Sequence, residues 1–271
     1  MDEIDFYLKE DLNEKGDITS DSIFTDETGK AKIIAKEPCV VAGLNEAQEV
    51  FKRVGAKMEK KMDDGSEVKK GEVVAFVSGK IKSILTGERL ALNFICRMSG
   101  IATETRKLVN ICKKINPDVK IAATRKTTPG FRKFEKKAVE IGGGIPHRFG
   151  LYDAVLIKDN HIAGVGSITE AIKRVKRKVK DKVIEVEAQN EGDALQAARL
   201  DVDVIMLDNF KPGEGRRVAE KIKQLNPNIV IEVSGGINAG NIREYAVFAD
   251  RISLGCLTHS VRSKDFSLEI I

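Results

Sequence analysis

The side chains best suited to chemistry crowd into one stretch, Thr124 to His161, which reads TRKTTPGFRKFEKKAVEIGGGIPHRFGLYDAVLIKDNH. It gathers Arg125, Lys126, His147, Arg148, Lys158 and His161 around Gly142-Gly143-Gly144, and two of the chain's three histidines lie in it. Arginine grips carboxylate or phosphate with a two-pronged fork and lysine acts as a point charge. Glycine permits the tight turns that bring such groups together. The stretch therefore predicts a pocket for a small, highly anionic ligand, with His147 as an anion contact and His161 holding the end of its strand. Further on, Glu187 and Asp208 each close an apolar run. Carboxylates there suit ribose hydroxyls or a magnesium ion, which prefers oxygen ligands; capping of the following helix is the plainer alternative. Ser234-Gly235-Gly236 and Gly255 predict turns whose backbone N–H groups cradle an anion, with His259 close behind.

These residues need a scaffold that brings them to one place. From Val119 onward the chain alternates β-type runs (VKIAAT, DAVLIK, KVIEVE, DVIMLD, NIVIEVS and DRISLG) with helical patterns at about 167–178, 190–200, 214–225 and 240–248. Ser167 and Glu170 have capping-box spacing. Alternation of this kind predicts a parallel sheet with right-handed crossovers. Lys158, Glu187, Asp208, Ser234 and Gly255 stand 29, 21, 26 and 21 residues apart, which are βα-unit lengths. In a parallel arrangement all of them meet at the carboxyl-terminal face, where α/β barrels carry their chemistry. Only six runs are legible, so the barrel is expected to be open.

The first part of the chain reads differently. Residues 2–12 have helical apolar spacing, GDITSDSIF is polar and turn-rich, 30–35 reads as a strand, CVVAG follows Pro38, and 45–54 reads as a helix. Residues 61–79 predict a β-hairpin, similar to the hammerhead of biotinyl and lipoyl carriers, but Lys80 lacks the neighbours of a modifiable lysine. A long helix is predicted over 86–115, with a break at Ser99-Gly100. The domain boundary is placed near Arg106. This gives an N-terminal α/β domain over 1–106 and a barrel over 107–259, with residues 260–271 expected to pack back on the first domain.

Composition excludes several classes. Forty-six basic residues stand among 41 acidic ones, for a net charge of +5, without the concentrated basic excess of a nucleic-acid binder. The run KRVKRKVKDK at 173–182 reads as a solvated helix face, since aromatic residues are not interleaved with it. The four cysteines are widely spaced and form no C-x-x-C pair, which predicts reduced thiols in the cytoplasm rather than a zinc site or disulfide framework. No run reaches the roughly 20 apolar residues of a membrane span.

Taken in order, EDLNEKGDITS, GERLALNFICRMSGIAT, TRKTTPGFRKFEKKAV, the GGG and PHRFGLYD segments, LIKDNHI, IEVE, IMLDNF, SGGI and LGCLTHS cover nearly the whole chain. This ordered set resembles the quinolinate phosphoribosyltransferases. The resemblance implies an N-terminal α/β sandwich and an open barrel of about seven strands. It implies conversion of quinolinate and phosphoribosyl pyrophosphate (PRPP) to nicotinate mononucleotide, pyrophosphate and carbon dioxide, with Mg2+, in NAD synthesis. It also implies a homodimer or homohexamer whose sites are completed by the neighbouring subunit. By motif, Arg125, His147 and Arg148 would bind the quinolinate carboxylates, and Arg89 would reach in from the partner. Lys126 and Lys158 would neutralise substrate carboxylate or leaving pyrophosphate, and Glu187 and Asp208 would hold ribose hydroxyls and magnesium. Ser234, Gly235 and Gly255 would cradle the 5′-phosphate, with His259 nearby. Pro146 stands where the family commonly has Asn. A related group linked to molybdenum transport has Pro there but tends to lack the Lys-Asp-Asn-His kept here at 158–161. The alternatives are phosphoribosyl transfer to another aromatic acid, or a molybdenum-transport-associated homologue without this activity.

Overall fold

The computed structural model describes residues 3–271, and the predicted start of the first helix at Asp2 lies outside them. The chain divides into two compact units. One comprises the residues through Arg106 together with Lys133–Gly142 and Val261–Ile271; the other comprises Lys107–Arg132 and Gly143–Ser260. The boundary at 106/107 falls inside a single helix, Ile81–Lys113. One segment departs from a boundary drawn continuously along the sequence: Lys133–Gly142 counts with the first unit, although it lies among residues of the second in the chain.

In the first unit an antiparallel sheet has the strand order Phe266–Ile270, Thr28–Ala35, Val73–Lys80, Lys57–Lys60. The expected hairpin over 61–79 is not formed. Glu67–Val68 pairs instead with Cys39–Val40, and Val73–Lys80 pairs with Thr28–Ala35 and Lys57–Lys60. The turn signals at Asp64-Gly65 and Gly71 are real, since both glycines have positive φ, but they separate strands of different sheets. The polar 16–24 segment also differs from expectation. It forms the helix Ile18–Ile23, started by Asp17, whose carboxylate accepts the Ser20 N–H at 3.0 Å.

The long helix begins five residues earlier than expected and runs unbroken through Ser99 and Gly100. Gly100 has a packing role rather than a kinking one. A Cβ there would lie 2.4 Å from the Arg262 carbonyl oxygen, so only glycine lets the C-terminal segment pass this close. Arg97 on the same helix pairs with the fully buried Glu135 at 2.7 Å and donates to the Val261 carbonyl at 3.1 Å. Edge-to-face contacts join Tyr7 to Phe94 (5.7 Å) and Phe94 to Phe134 (4.9 Å). The helix Arg132–Ile141, which has no counterpart among the predicted elements, supplies Phe134 and Glu135 to this core.

The second unit is built on a six-stranded parallel sheet. Its order is Lys120–Ala122, Arg251–Ser253, Val230–Ser234, Val204–Asp208, Ile184–Ala188, Val155–Ile157. All six predicted runs are present. A seventh position is reduced to one residue: Ile145 bridges in parallel to Ala122, donating to the Ile121 carbonyl at 2.8 Å and accepting from Ala123 N–H at 3.0 Å. Pro146 follows at once, which biases Ile145 to extended backbone and ends the pairing. Strands such as Ile184–Ala188 are buried at every residue, as expected where both faces of a parallel sheet are covered. The helices follow the sequence pattern: Ile168–Lys178 starts at Ser167, whose hydroxyl accepts the Glu170 N–H, and Glu191–Arg199 starts at Asn190, whose side chain accepts the Asp193 N–H. Among the described residues no helix is long and apolar enough to cross a membrane.

Candidate active site

Parallel strands all end on the same side, and side chains two apart on one strand share a face. These two rules collect the predicted residues. One cavity of about 770 Å³ in the second unit is lined by Arg125, Lys126, His147, Arg148, Lys158, Glu187, Asp208, Ser234, Gly235, Gly255 and His259, each singled out from sequence. Arg89 and His161 are not among its lining residues. Arg89 is exposed on Ile81–Lys113, while His161 accepts the Lys158 N–H on Nδ1 at 3.0 Å and so closes the end of its strand.

The cationic side of the cavity comes from two turns. After Lys120–Ala122 the chain places Arg125 and Lys126, and the turn is tied down where Thr258 Oγ1 donates to the Lys126 carbonyl at 2.6 Å. After Ile145 the chain turns through His147, which has a left-handed φ of 55°, and delivers Arg148. Burial and then the neighbouring Arg125 guanidinium hold Arg148 below the usual arginine pKa, with Glu185 opposing them. Arg125 Nε is buried without a hydrogen-bond partner. An unspent donor on Arg125 beside a second guanidinium calls for an anionic ligand. Arg132 supports the second turn from behind, donating to Thr127 Oγ1 at 3.0 Å and to the Phe149 carbonyl at 3.1 Å.

The acidic side comes from neighbouring strands. Glu187 ion-pairs with Lys158, and Gln189 Nε2 donates to Glu187 at 3.1 Å and to Asp208 at 3.4 Å. Asn209 Nδ2 also donates to Asp208, at 2.6 Å. Both carboxylates line the cavity, a donor set of the hard, oxygen-only kind that magnesium selects.

The third side is backbone. Gly235 and Gly236 have φ of 92° and 62°, and Asn209 N–H is tied to the Ser234 carbonyl at 2.9 Å. A Cβ on Gly235 would fall 2.2 Å from Asn209 Oδ1. A Cβ on Gly255 would meet the His259 ring and the Lys126 stem at 2.9 Å. At these positions any side chain would collide with Asn209, His259 or Lys126, so glycine lets the two turns pack closely at the cavity wall with backbone exposed, which is the form of an anion cradle.

The cavity also contains residues not anticipated from sequence, chiefly Glu232, Asn209, Asn238 and Ser253. Glu232 is fully buried and Glu185, one layer below Glu187, is 2 % exposed. Their signal was visible: in IEVE and IEVS a glutamate interrupts an otherwise apolar buried strand. An inward-facing charge of that kind requires partners. Those partners are His147 and Arg251. His147 Nε2 stands 3.2 Å from Glu185 and 3.4 Å from Glu232, off the line of a good hydrogen bond to either, so the attraction is chiefly between charges. Burial opposes charge on this imidazole, but the two carboxylates outweigh it and raise its pKa to about 9. The Arg148 N–H also approaches Nδ1 at 2.8 Å, a contact that favours the neutral ring. Two full carboxylate charges prevail over this one neutral contact.

Similarity to known proteins agrees with this geometry. The description "Quinolinate phosphoribosyl transferase, N-terminal domain" matches residues 17–99 and "Quinolinate phosphoribosyl transferase, C-terminal domain" matches residues 101–269. The chain is 46% identical over 245 residues to the probable nicotinate-nucleotide pyrophosphorylase [carboxylating] of Archaeoglobus fulgidus, covering 89% of this chain and 94% of that one. It is 43% identical over 274 residues to the protein of the same description in Bacillus subtilis, covering 98% and 92%. The crystal structure of nicotinate-nucleotide pyrophosphorylase from Ehrlichia chaffeensis superposes with a TM-score of 0.93 at 40% identity, over 99% of this chain and 97% of that one. The chain belongs to the quinolinate phosphoribosyltransferase family.

Proposed function

We propose that this chain transfers the phosphoribosyl group of PRPP to quinolinate, forming nicotinate mononucleotide, pyrophosphate and carbon dioxide in NAD biosynthesis. The observation that carries the reading is the pair Arg125 and Arg148 in one cavity wall, where burial and mutual repulsion already weaken the proton affinity of Arg148. Such a pair is stabilised by a dianion, and quinolinate presents two adjacent ring carboxylates. In this assignment Arg125, His147 and Arg148 hold the carboxylates. Ser234, Gly235, Gly255 and His259 cradle the 5′-phosphate, and Lys126 and Lys158 face the leaving pyrophosphate.

Glu187 and Asp208 would hold magnesium, together with the ribose hydroxyls, and their oxygen-only donor set fits that ion. When bound, magnesium supplies positive charge against the pyrophosphate oxygens. The chain's own groups do the rest. They fix the two anions so that the pyridine nitrogen faces ribose C1, and this positioning removes much of the barrier. As the C1–O bond breaks, its electron pair leaves with pyrophosphate and the lysines stabilise the growing charge. The nitrogen lone pair forms the new C–N bond. The resulting pyridinium then accepts the electron pair released when the adjacent carboxylate departs as carbon dioxide, and a proton takes the vacated carbon. No enzyme nucleophile is required.

Arg89, exposed on its helix, completes the site of a neighbouring subunit in a homodimer or homohexamer under this reading. A cytoplasmic setting is in keeping with four cysteines that form no disulfide among the described residues. The test is Arg125→Ala and Arg148→Ala. Each is expected to abolish turnover while circular dichroism and thermal unfolding stay close to the parent. Undiminished activity in both variants would overturn the assignment.

A further inference from the structure

Beneath the cations assigned to the acceptor, His147 is joined by three buried or half-buried residues with no role in that scheme, Glu185, Glu232 and Arg251, to form a quartet. Glu185 and Glu232 come from separate parallel strands, Arg251 opens a third, and His147 follows the single bridging residue Ile145. Arg251 Nε pairs with Glu232, and Arg251 Nη2 reaches Glu185 at 3.3 Å. His147 Nε2 reaches the same two carboxylates, and Ser253 Oγ donates to Glu232. Each glutamate is thus bridged by one guanidinium and one imidazole. Two carboxylates and one guanidinium carry a net negative charge, which a protonated imidazole cancels. A charged cluster this deep is disfavoured unless it is balanced.

His147, Glu185 and Glu232 also offer three ligand atoms within 4.8 Å of one another, the spacing of a cation site. Arg251 already lies against both carboxylates, so the second positive partner is the histidine itself. The quartet sits where the backbone is strained. His147 is one of four non-glycine residues with positive φ among the described residues, and it is the one directly before a cavity arginine. The ring that is clamped and the turn that aims Arg148 belong to the same residue.

We propose that Glu232, with Glu185 and Arg251, is a positioning residue for acceptor binding: it clamps the His147 ring and so holds the left-handed turn that aims Arg148 at a ring carboxylate. This rests on the acceptor role given to Arg148 above. Glu232→Gln keeps the shape of the side chain and the Ser253 contact but removes the charge that balances the quartet. The expected result is a rise in KM for quinolinate of about ten- to a hundredfold, by analogy with the loss typical when a group that orients a metal-ligating side chain is removed. KM for PRPP is expected to change by less than about twofold, because Lys158, Glu187, Asp208 and the glycine turns are untouched. A second variant, His147→Asn, removes the clamped ring with a residue that tolerates left-handed backbone. It also removes the ring's own contact with the acceptor, so its loss is expected to be the larger. Glu185→Gln, which spares the ring but removes the other carboxylate at its Nε2, is expected to reproduce the selective loss and serves alone if Glu232→Gln does not fold. The double variant of Glu232→Gln and His147→Asn is expected to be no worse than the poorer single one, the mark of two residues acting through one contact.

Equal rises in both KM values, or lower thermal stability with an unchanged quinolinate KM, would show a merely structural role and overturn the proposal. If the parent protein makes no nicotinate mononucleotide, the reading of the reaction fails separately. The clamp is then tested by calorimetry with a panel of pyridine mono- and dicarboxylates. Binding by the parent that Glu232→Gln weakens supports it; unchanged binding, or none by the parent, overturns it.

Discussion

Gly235→Ala tests the anion cradle, and the structure gives its size. Gly235 has φ of 92°, which costs an alanine about 1–2 kcal/mol. Its Cβ would lie 2.2 Å from Asn209 Oδ1, 2.6 Å from Asn209 Cγ and 2.8 Å from Asn209 N. The backbone nitrogen is held by its 2.9 Å bond to the Ser234 carbonyl, so the side chain has to give way. Moving it breaks the 2.6 Å bond to Asp208, a bond to a charged group and partly exposed, worth about 1 kcal/mol or somewhat more. The sum is about 2–4 kcal/mol. For a chain of this size each kcal/mol lowers Tm by roughly 2–3 °C, so a fall of about 5–10 °C is expected. Gly236→Ala is the control. Gly236 also has positive φ, 62°, but nothing lies within 4 Å of its Cβ, so only the backbone cost remains, about 1–2 kcal/mol. Scanning calorimetry gives Tm, and fluorescence or calorimetric titration gives PRPP affinity. Gly235→Ala is expected to lose more than about tenfold in PRPP affinity, since it displaces the partner of Asp208, whereas Gly236→Ala loses less. Equal losses in the two variants would refute the argument that Asn209 and Gly235 form one tightly packed turn.

His147 makes stability depend on pH. Its folded pKa of about 9 lies above the ordinary 6.5, so its contribution is fully present below about pH 6.5 and disappears as pH rises through 9. Near neutral pH it is on the order of 2–3 kcal/mol. Denaturant unfolding of the parent and His147→Gln is therefore expected to show a gap that narrows between pH 7 and pH 10; a constant gap would rule the network out as its source. Outside the cavity lining, Ser167→Ala removes the cap whose hydroxyl accepts the Glu170 N–H at 3.2 Å. A loss of about 1 kcal/mol by urea titration, with unchanged turnover, is expected.

How much of this could be read from the residues varies by region. The six parallel strands and the cavity around their ends follow from apolar runs closed by Lys, Glu, Asp or Ser at βα spacing, because burial on both faces forces that pattern. The seventh strand was hidden because only Ile145 pairs, a single residue that leaves no periodic trace. The helix Arg132–Ile141 was masked by its lysines and by the attention its cations draw as chemistry, although its Phe134, Ala138 and Val139 have helical spacing and are buried. The hairpin over 61–79 misled because turn residues fix where a chain reverses and not which strand it pairs with next. Glu185 and Glu232 were passed over because a charge within a strand was read only where the strand ends. Pro146 looked like a departure that touches the site. In the structure it follows the bridging residue directly, where the chain has already left the sheet and a backbone donor is not needed for pairing.

The most direct test of the central claim is to incubate the purified protein with quinolinate, PRPP and magnesium and to follow nicotinate mononucleotide by mass spectrometry, omitting each component in turn. The account predicts product only when all three are present, with pyrophosphate and carbon dioxide released in equal amounts. Folded protein that binds PRPP yet forms no nicotinate mononucleotide would contradict it.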